Sequence, residues 1–538
     1  MEPPDFERFD VVIVGAGISG IGLACHLRME SPDRSFVILE ARNDVGGTWD
    51  LFRYPGIRSD TDMYTFGFAF KPWKGEKSIA DGESIRTYLQ EAVAEYKLGD
   101  AIRLGHSVSK AAWSTERASW TVTVERNDGA QEVLSSSFLF VATGYYDYKE
   151  GYTPELNGLS NFQGTVVHPQ KWPAHLNYSG KRVVVIGSGA TAMTLVPAMS
   201  EKSLHVTMLQ RSPTYVVALP DVDCVARSLY KWLPTRWAYD LVRRRNIRRT
   251  LYMYKTSRQY PEQMKQALLQ GVRSRLPPDF DVEKHFVPRY NPWDQRLCVI
   301  SNGDLFKAIR EHKASVVTDH IDGFTETGIR LQSGKTLEAD IIVTATGLNL
   351  ITVGDPESFQ VWVDDEQVDF SKKWGYQGFA YNDVPNLIVV SGYINASWTL
   401  RVDLISQYAC RMLNHMRRIQ ARQCTPRLRA SDQDMMELPW VKDFNPGLFL
   451  RSMHRFPKQG NREPWVNSHN YEYDKRHLRQ GTLEDGVMQF TNKVTTGKTV
   501  PTSLSKNMWC VILLVGAIAA ILMHIVHVDA TSNGEQHV

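Results

Sequence analysis

The chain has 538 residues, of which 43% are apolar and 22% are charged, values typical of a globular protein with two or three domains. Its formal net charge of +3 gives no basis for a nucleic-acid partner. Six cysteines are widely scattered without a Cys-x-x-Cys pair, which excludes a disulfide scaffold, a zinc cluster and a redox-active dithiol, so no metal site is predicted.

A glycine-rich motif, G-A-G-I-S-G, follows the first apolar run of the chain. Its three glycines are Gly15, Gly17 and Gly20. In dinucleotide-binding folds the first glycine makes the tight turn, the second lets the backbone approach a pyrophosphate, and the third lets the helix pack on the strand. The next strand ends in Glu40, 25 positions after the first glycine, where an acid accepts hydrogen bonds from ribose hydroxyls. The motif predicts an FAD site; spacing alone leaves NAD open, and Glu40 alone also fits an ordinary strand end.

A second motif, G-S-G-A-T-A, follows the apolar run 181–186. Its turn and helix-packing positions are Gly187, Ser188, Gly189 and Ala192. Strand 206–209 runs into Arg211, 24 positions after the first glycine of the motif, where a base can pair with the 2′-phosphate of NADPH. Two dinucleotide sites in one chain indicate electron transfer between two bound nucleotides, FAD at the first site and NADPH at the second.

Two apolar strands end in Ala-Thr-Gly, at 142–144 and at 345–347, one after each nucleotide unit. They predict that the NADPH domain interrupts the FAD domain. The predicted fold class is α/β, with two Rossmann-like dinucleotide-binding domains, a helical insertion and a C-terminal transmembrane helix. The predicted segments are the FAD-binding domain at 1–148 and 349–495, the NADPH-binding domain at 149–221 and 291–348, a basic helical insertion at 222–290, a linker at 496–507 and a transmembrane tail anchor at 508–527.

The insertion is strongly basic. Between residues 227 and 275 the sequence has thirteen Lys and Arg against two acids. A run of this kind is usually a solvated helical face. Contact with an anionic membrane surface and electrostatic steering of NADPH are the two alternatives.

An apolar stretch without formal charge lies near the C-terminal end. It covers 508–526, which is 19 residues and near the minimum for crossing the hydrocarbon core of a bilayer. Three lysines precede the stretch, which places the catalytic domain on the cytoplasmic side: Lys493, Lys498 and Lys506. The sequence therefore predicts a membrane protein with a single-pass C-terminal anchor in the lipid bilayer. A helix docked on the protein body or on a partner is the alternative.

Two longer motifs carry a resemblance to a known family. Residues 46–60 have the pattern G-G-x-W-x-x-x-x-Y-P-G-x-x-x-D, and residues 162–173 have the pattern F-x-G-x-x-x-H-x-x-x-W-P. Both patterns, in this order around the two glycine motifs, are similar to those of the Baeyer–Villiger monooxygenases, a branch of the class B flavoprotein monooxygenases. The chain resembles in particular the ethionamide-activating type, over roughly residues 8 to 495.

This resemblance implies an NADPH- and dioxygen-dependent enzyme with bound FAD. In the family NADPH reduces the flavin, dioxygen adds to give a peroxyflavin, and one oxygen atom is inserted into a ketone to give an ester or lactone; the same species can sulfoxidise a thioether. Arg296 occupies the position of the family's active-site arginine and would stabilise negative charge on oxygen. Asp60, which closes the first pattern, would hold Arg296 through a carboxylate–guanidinium pair. A purely structural salt bridge is the alternative for that pair.

The resemblance assigns roles to further residues. His168 would lie in the connector between the domains and influence how NADPH use is coupled to oxygenation. Trp398 would pack near NADP⁺, although a plain core aromatic is an equal alternative. The first pattern adds three cofactor-binding residues, Gly47, Thr48 and Trp49. Gln295 stands where many members have a lysine that holds the 2′-phosphate, so NADPH binding would depend on Arg211 together with Ser212.

Three other functions compete with this interpretation. A flavin-containing monooxygenase acting on soft nitrogen or sulfur atoms shares the glycine motifs, but its connector usually lacks the Trp172-Pro173 pair. A flavin disulfide reductase needs a dithiol that the sequence lacks. A membrane-tethered NADPH-binding scaffold would need neither Arg296 nor Asp60. The predicted partners are a small apolar ketone or thioether, dioxygen and the bilayer, and the protein is expected to be a monomer.

Overall fold

The structure is a computed structural model that describes residues 6–355 and 358–492. Its strands are, in chain order, β1 (Glu7–Val14), β2 (Phe36–Glu40), β3 (Ile102–Leu104), β4 (His106–Ser114), β5 (Ser119–Arg126), β6 (Gln131–Val141), β7 (Tyr146–Gly151), β8 (Thr165–Val167), β9 (Arg182–Ile186), β10 (His205–Gln210), β11 (Val216–Leu219), β12 (Cys298–Ser301), β13 (Ala314–Thr318), β14 (Ile321–Thr325), β15 (Gly328–Leu331), β16 (Thr336–Glu338), β17 (Ile341–Thr344), β18 (Leu348–Leu350), β19 (Gln360–Val363), β20 (Glu366–Gln367), β21 (Gly375–Tyr376), β22 (Ala380–Tyr381), β23 (Leu387–Val389), β24 (Gln423–Pro426), β25 (Leu438–Pro439), β26 (Lys458–Gln459) and β27 (Met488–Thr491).

The helices connect and cover these strands. They are α1 (Ile18–Glu30), α2 (Thr48–Leu51), α3 (Met63–Phe66), α4 (Gly82–Glu95), α5 (Ala190–Ser200), α6 (Cys224–Trp232), α7 (Thr235–Gln259), α8 (Pro261–Arg273), α9 (Val282–Phe286), α10 (Asp304–Arg310), α11 (Trp398–Arg418), α12 (Gly447–Ser452) and α13 (Tyr471–Gln480).

The first sheet has the strand order β20-β19-β4-β5-β6-β1-β2-β3, and β23 also pairs with β6. Strand β1 runs parallel to both neighbours, with Val14 opposite Leu39 of β2 and Val141 of β6. These strands are buried apolar runs, as expected where helices cover a parallel sheet. Helix α1 packs against α11 on one side of this sheet. The first glycine motif therefore lies at the carboxyl end of a central parallel strand, which is where nucleotides bind in such sheets.

The second sheet has the order β13-β10-β9-β17-β8 and is parallel throughout. Its central strand β9 ends immediately before the second glycine motif, and α5 follows the motif. Residues of β9 and β17 are buried on both sides. The two sheets thus repeat one arrangement of strand, glycine turn and helix, as two Rossmann-like units require.

The basic insertion contains α6, α7, α8 and α9, and it is bracketed by the parallel pair β11–β12. Its longest helix, α7, carries many exposed basic residues but turns Arg243 inward. The Arg243 Nη1 group donates hydrogen bonds to the carbonyl oxygens of Tyr64 and Gly67 at 2.8 and 2.7 Å, and Nη2 donates to the Asp403 carboxylate at 3.2 Å. The insertion is therefore fastened to the part of the chain that holds the first glycine motif.

The structure corrects the prediction of a transmembrane helix. Within residues 6–355 and 358–492, no helix is both long and apolar enough to cross a membrane. The longest of these helices, α7, has 25 residues but carries eight Lys and Arg, whose charges are costly inside a bilayer. The segment 508–527, where the anchor was predicted, lies outside the described residues. This finding contradicts the transmembrane part of the predicted fold class and the predicted cytoplasm-facing membrane location, and nothing in the described residues supports the bilayer as a partner.

Candidate active site

The backbone around the first glycine turn is packed so tightly that it leaves no room for side chains. Gly15 has φ +104°, and a Cβ atom there would lie 2.8 Å from the Ala142 carbonyl oxygen. A Cβ atom at Gly47 would come within 2.9 Å of the Gly17 Cα, so the backbone of the first long pattern touches the glycine turn directly. Gly20 is buried in α1. The bare backbone at this turn fits the close approach of a pyrophosphate.

Glu40 lies beside this turn at the end of β2. It is buried, and its carboxylate accepts hydrogen bonds from the backbone N–H of Ala16 at 2.7 Å and of Arg42 at 2.9 Å. Burial raises the pKa of the Glu40 carboxyl above its ordinary value. The acid is thus at the position that the motif spacing predicts for a ribose-binding residue.

The second glycine turn repeats this geometry. Gly187 has φ +132°, and a Cβ atom there would lie 2.3 Å from the Ala345 carbonyl oxygen. Gly189 precedes the first residue of α5, and a Cβ atom there would meet only open space. Ala192 is buried in α5. The open space above the start of α5 is suited to a phosphate group at the positive end of the helix.

Arg211 and Ser212 directly follow β10 and are exposed. The Ser188 hydroxyl donates to the Ser212 carbonyl oxygen at 3.2 Å and lies 3.1 Å from the Thr214 hydroxyl. This contact holds the loop after β10 against the second glycine turn. Arg211, the residue before Ser212, is therefore held close to that turn, and its side chain is exposed.

One cavity of about 550 Å³ is lined by residues of the second glycine motif and of the first long pattern, but by none of the first glycine motif or of the second long pattern. It brings together six of the predicted site residues: Thr48, Trp49, Asp60, Gly189, Arg296 and Trp398. The other predicted cofactor residues lie in or beside the two turns and do not line it: Gly15, Gly17, Gly20, Glu40, Gly47, Gly187, Ser188, Ala192, Arg211 and Ser212. The cavity thus borders the second glycine motif directly and the first motif through Trp398, whose indole N–H donates to the Ser19 hydroxyl.

Arg296 and Asp60 are paired in the cavity although 236 positions separate them in the chain. The Asp60 Oδ2 atom accepts hydrogen bonds from Arg296 Nε at 3.1 Å and from Nη2 at 2.7 Å. The Arg296 side chain is 41% exposed and that of Asp60 is 26% exposed. The charge of Asp60 raises the pKa of Arg296 further above its ordinary value, so the guanidinium stays protonated.

Two tyrosines that the sequence analysis missed lie beside this pair. Tyr145 and Tyr146 line the cavity, and their hydroxyl oxygens are 3.1 Å apart. Burial raises the pKa of both hydroxyls, so both remain neutral donors. They directly follow the Ala-Thr-Gly strand end at 142–144. That strand end could have indicated them in the sequence, because residues after a central parallel strand lie at the edge of the sheet where ligands bind.

Trp398 is the first residue of α11 and lies between the cavity and the first glycine motif. Its indole N–H donates to the Ser19 hydroxyl at 2.8 Å, and its ring is 5.1 Å from that of Tyr145. These contacts favour Trp398 as part of the cavity wall over a residue that packs only in the protein interior.

His168 does not line the cavity. Its Nε2 atom is 3.1 Å from the Gly347 carbonyl oxygen, and its Nδ1 accepts the backbone N–H of Gln170 at 3.2 Å. A Cβ atom at Gly151 would overlap the imidazole ring, since it would lie 1.9 Å from Cε1. Burial lowers the pKa of His168. The ring therefore packs at the β7–β18 pair, where the chain crosses between the two sheets.

Comparisons with known proteins identify similar chains. Residues 12–224 match the family described as pyridine nucleotide-disulphide oxidoreductase. The chain is 48% identical over 488 residues to the FAD-containing monooxygenase EthA of Mycobacterium tuberculosis, covering 90% of this chain and 98% of that one. It is 50% identical over 486 residues to the EthA of Mycolicibacterium smegmatis, covering 90% and 97%.

A solved structure supports the fold. The oxidized steroid monooxygenase bound to NADP aligns with a TM-score of 0.72 at 21% identity, covering 90% of this chain and 100% of that chain. At this identity the likeness shows the architecture alone. It confirms the two Rossmann-like units of the predicted α/β fold.

Proposed function

The chain belongs to the FAD-containing monooxygenases of the Baeyer–Villiger type, and we propose on this premise that it uses NADPH and dioxygen to insert one oxygen atom into an apolar ketone, giving an ester or a lactone. The observation that carries the proposal is the Arg296–Asp60 pair inside a cavity that the second glycine motif lines and whose wall residue Trp398 contacts Ser19 of the first. A scaffold protein would need no charged pair at that position.

The two glycine turns fit the two cofactors of this reaction. The cradle at Gly17 and Gly47, with Glu40 beside it, would hold FAD, and Gly187, Gly189 and Arg211 would hold NADPH. When bound, FAD supplies a ring that accepts a hydride from NADPH and activates dioxygen. The protein's own contribution is to bind, to orient and to exclude water.

Arg296 would stabilise the negative charge that develops on oxygen during the reaction. Asp60 engages the Nε and Nη2 groups, and Nη1 has no hydrogen-bond partner among residues 6–355 and 358–492. A guanidinium fixed along one edge keeps its remaining donors oriented, and a preorganised donor stabilises a developing anion without reorganising in the transition state. Because Arg296 does not lose its proton, it stabilises the anion without protonating it.

The cavity wall supports an apolar substrate. Much of it is aromatic and aliphatic: Val353, Trp440, Phe444, Leu448, Phe449 and Phe456. Such a wall excludes water, which strengthens the electrostatic contribution of Arg296. It also favours a ketone with a hydrocarbon body over a charged metabolite.

The experiment is product identification with the purified, FAD-loaded full chain. A straight-chain methyl ketone and a thioether of equal length are each incubated with NADPH in air, and the products are identified by mass spectrometry. We expect ester from the ketone. Sulfoxide from the thioether with no ester from any ketone would favour the N/S-monooxygenase instead.

The matched variant is Arg296→Ala. Ester formation should fall roughly 100- to 1,000-fold, the usual loss when an anion-stabilising donor is removed, while reduction of the flavin by NADPH persists. Ester formation at the wild-type rate in this variant would remove Arg296 from the mechanism.

A further inference from the structure

His469 contributes a polar side chain to the cavity, and nothing in the proposed mechanism uses it. Both of its ring nitrogens are buried and have no hydrogen-bond partner within the part of the chain that the structure describes. A buried, unpaired imidazole N–H carries a desolvation cost that a partner would remove. Because His469 lines the cavity, a molecule bound there can supply that partner.

The loop that carries His469 is fixed against the aromatic part of the cavity wall. The Asn467 side-chain N–H donates to the Trp440 carbonyl oxygen at 3.1 Å, and Arg401 Nη1 donates to Asn467 Oδ1 at 2.7 Å. The carbonyl oxygen of His469 itself accepts a hydrogen bond from Asn395 at 3.0 Å. The loop is thus held at the hydrocarbon wall, and the centre of the imidazole ring lies 6.4 Å from that of Tyr393, which also lines the cavity.

The imidazole is neutral in these surroundings. Burial, together with the positive charge of Arg401, lowers the pKa of His469 to about 3. A neutral imidazole has one N–H donor and one acceptor nitrogen. A ketone offers only an acceptor, so its carbonyl oxygen can pair with the N–H but not with the other nitrogen.

We propose that His469 donates a hydrogen bond to the oxygen atom of the ketone substrate and thereby determines specificity for ketones over thioethers. This rests on the proposed function. A thioether sulfur is a weak acceptor and gains little from the same donor. His469 would hold the polar end of the substrate while the aromatic wall holds its hydrocarbon body.

The test compares His469→Phe, which keeps a ring and removes both nitrogens, with His469→Gln, which keeps an N–H donor. His469→Leu is a second donor-free variant in case the phenylalanine protein does not fold. His454→Phe makes the same change at an exposed histidine outside this cavity and serves as the matched control. KM and kcat are measured for the methyl ketone and for the thioether of equal length, and the flavin absorption spectrum is recorded for each protein.

Loss of one hydrogen bond should raise the KM for the ketone roughly 3- to 10-fold in His469→Phe or His469→Leu. The KM for the thioether should stay within about twofold of the wild-type value, and His469→Gln and His454→Phe should resemble the wild type. An unchanged ketone KM, or an equal rise for both substrates, would overturn the assignment. A shifted flavin spectrum with an unchanged ketone KM would direct the hydrogen bond to the cofactor and also overturn it.

Failure of the proposed function gives a different result. In that case the wild type itself makes no ester from any ketone. If the wild type makes ester and the donor-free variants match it in ketone KM, only the role of His469 is wrong.

Discussion

Replacing Asp60 by asparagine tests whether the carboxylate acts by holding Arg296. Asparagine has nearly the same shape as aspartate but no charge. Only one of its two terminal atoms, the amide oxygen, can still accept a hydrogen bond from Arg296. The guanidinium stays in the cavity, since Arg296 is unchanged, but the oxygen that now accepts from both Nε and Nη2 loses its charge. The Nη1 group then samples several orientations.

The structure separates the two consequences of this change. Because the two side chains are 41% and 26% exposed, the pair should contribute no more than about 1 kcal/mol to the free energy of unfolding. Misplacing a catalytic group by about 1 Å can reduce the rate of the chemical step ~100-fold. Asp60→Asn should therefore slow ester formation ~100-fold with little loss of stability.

The matched control is Asp340→Asn. Asp340 pairs with Arg182 at 2.9 Å, the two side chains are 33% and 42% exposed respectively, and neither residue lines the cavity. The assay combines single-turnover ester formation, the rate of flavin reduction by NADPH and thermal unfolding. The control should lose comparable stability and keep its activity. Wild-type ester formation in Asp60→Asn, or an equal fall in flavin reduction, would refute the positioning role.

Two further predictions follow from the geometry. Arg211→Ala should raise the KM for NADPH roughly 10- to 100-fold, since hydrogen bonds to the charged 2′-phosphate are lost, and it should leave the KM for NADH unchanged. If the ratio of the two KM values does not change, the 2′-phosphate is bound elsewhere. Arg243→Met removes one of the two cations beside the buried Asp403, His26 being the other, together with the donor to three backbone carbonyl oxygens. It should lower the free energy of unfolding by about 3–5 kcal/mol in denaturant titrations. Arg244→Met, at the adjacent exposed arginine, should cost far less, and equal losses would show that Arg243 is not the fastening residue.

The glycine turns and their parallel strands were predictable because local sequence determines them. An apolar strand, a turn that excludes side chains and a following helix are encoded within about thirty residues. The Arg296–Asp60 contact was predictable only through the family resemblance, because no local pattern indicates which acid meets an arginine 236 positions away. The roles of these residues stay predictions until the variants are measured.

Two features of the site needed the folded chain. Tyr145 and Tyr146 follow a strand end that was recognised, yet their direction depends on how the chain crosses to the second sheet. His469 lies in a loop without a motif. It is important because neither of its ring nitrogens has a hydrogen-bond partner among the described residues. An unpaired buried nitrogen results from three-dimensional packing, so neither residue spacing nor composition can predict it.

Arg243 and Arg296 use their hydrogen-bond donors differently, and a count of charges along the sequence could not show this difference. Arg243 belongs to the basic run and is nearly buried, and its amino groups donate to three backbone carbonyl oxygens and to Asp403. Its hydrogen-bonding capacity is directed to holding the insertion in place. Arg296 is held by one carboxylate oxygen and has an amino group without a partner among the described residues, in a cavity lined by aromatic side chains. Since a guanidinium can stabilise a new anion only with donors that the protein has not already engaged, Arg296 is suited to chemistry and Arg243 to structure.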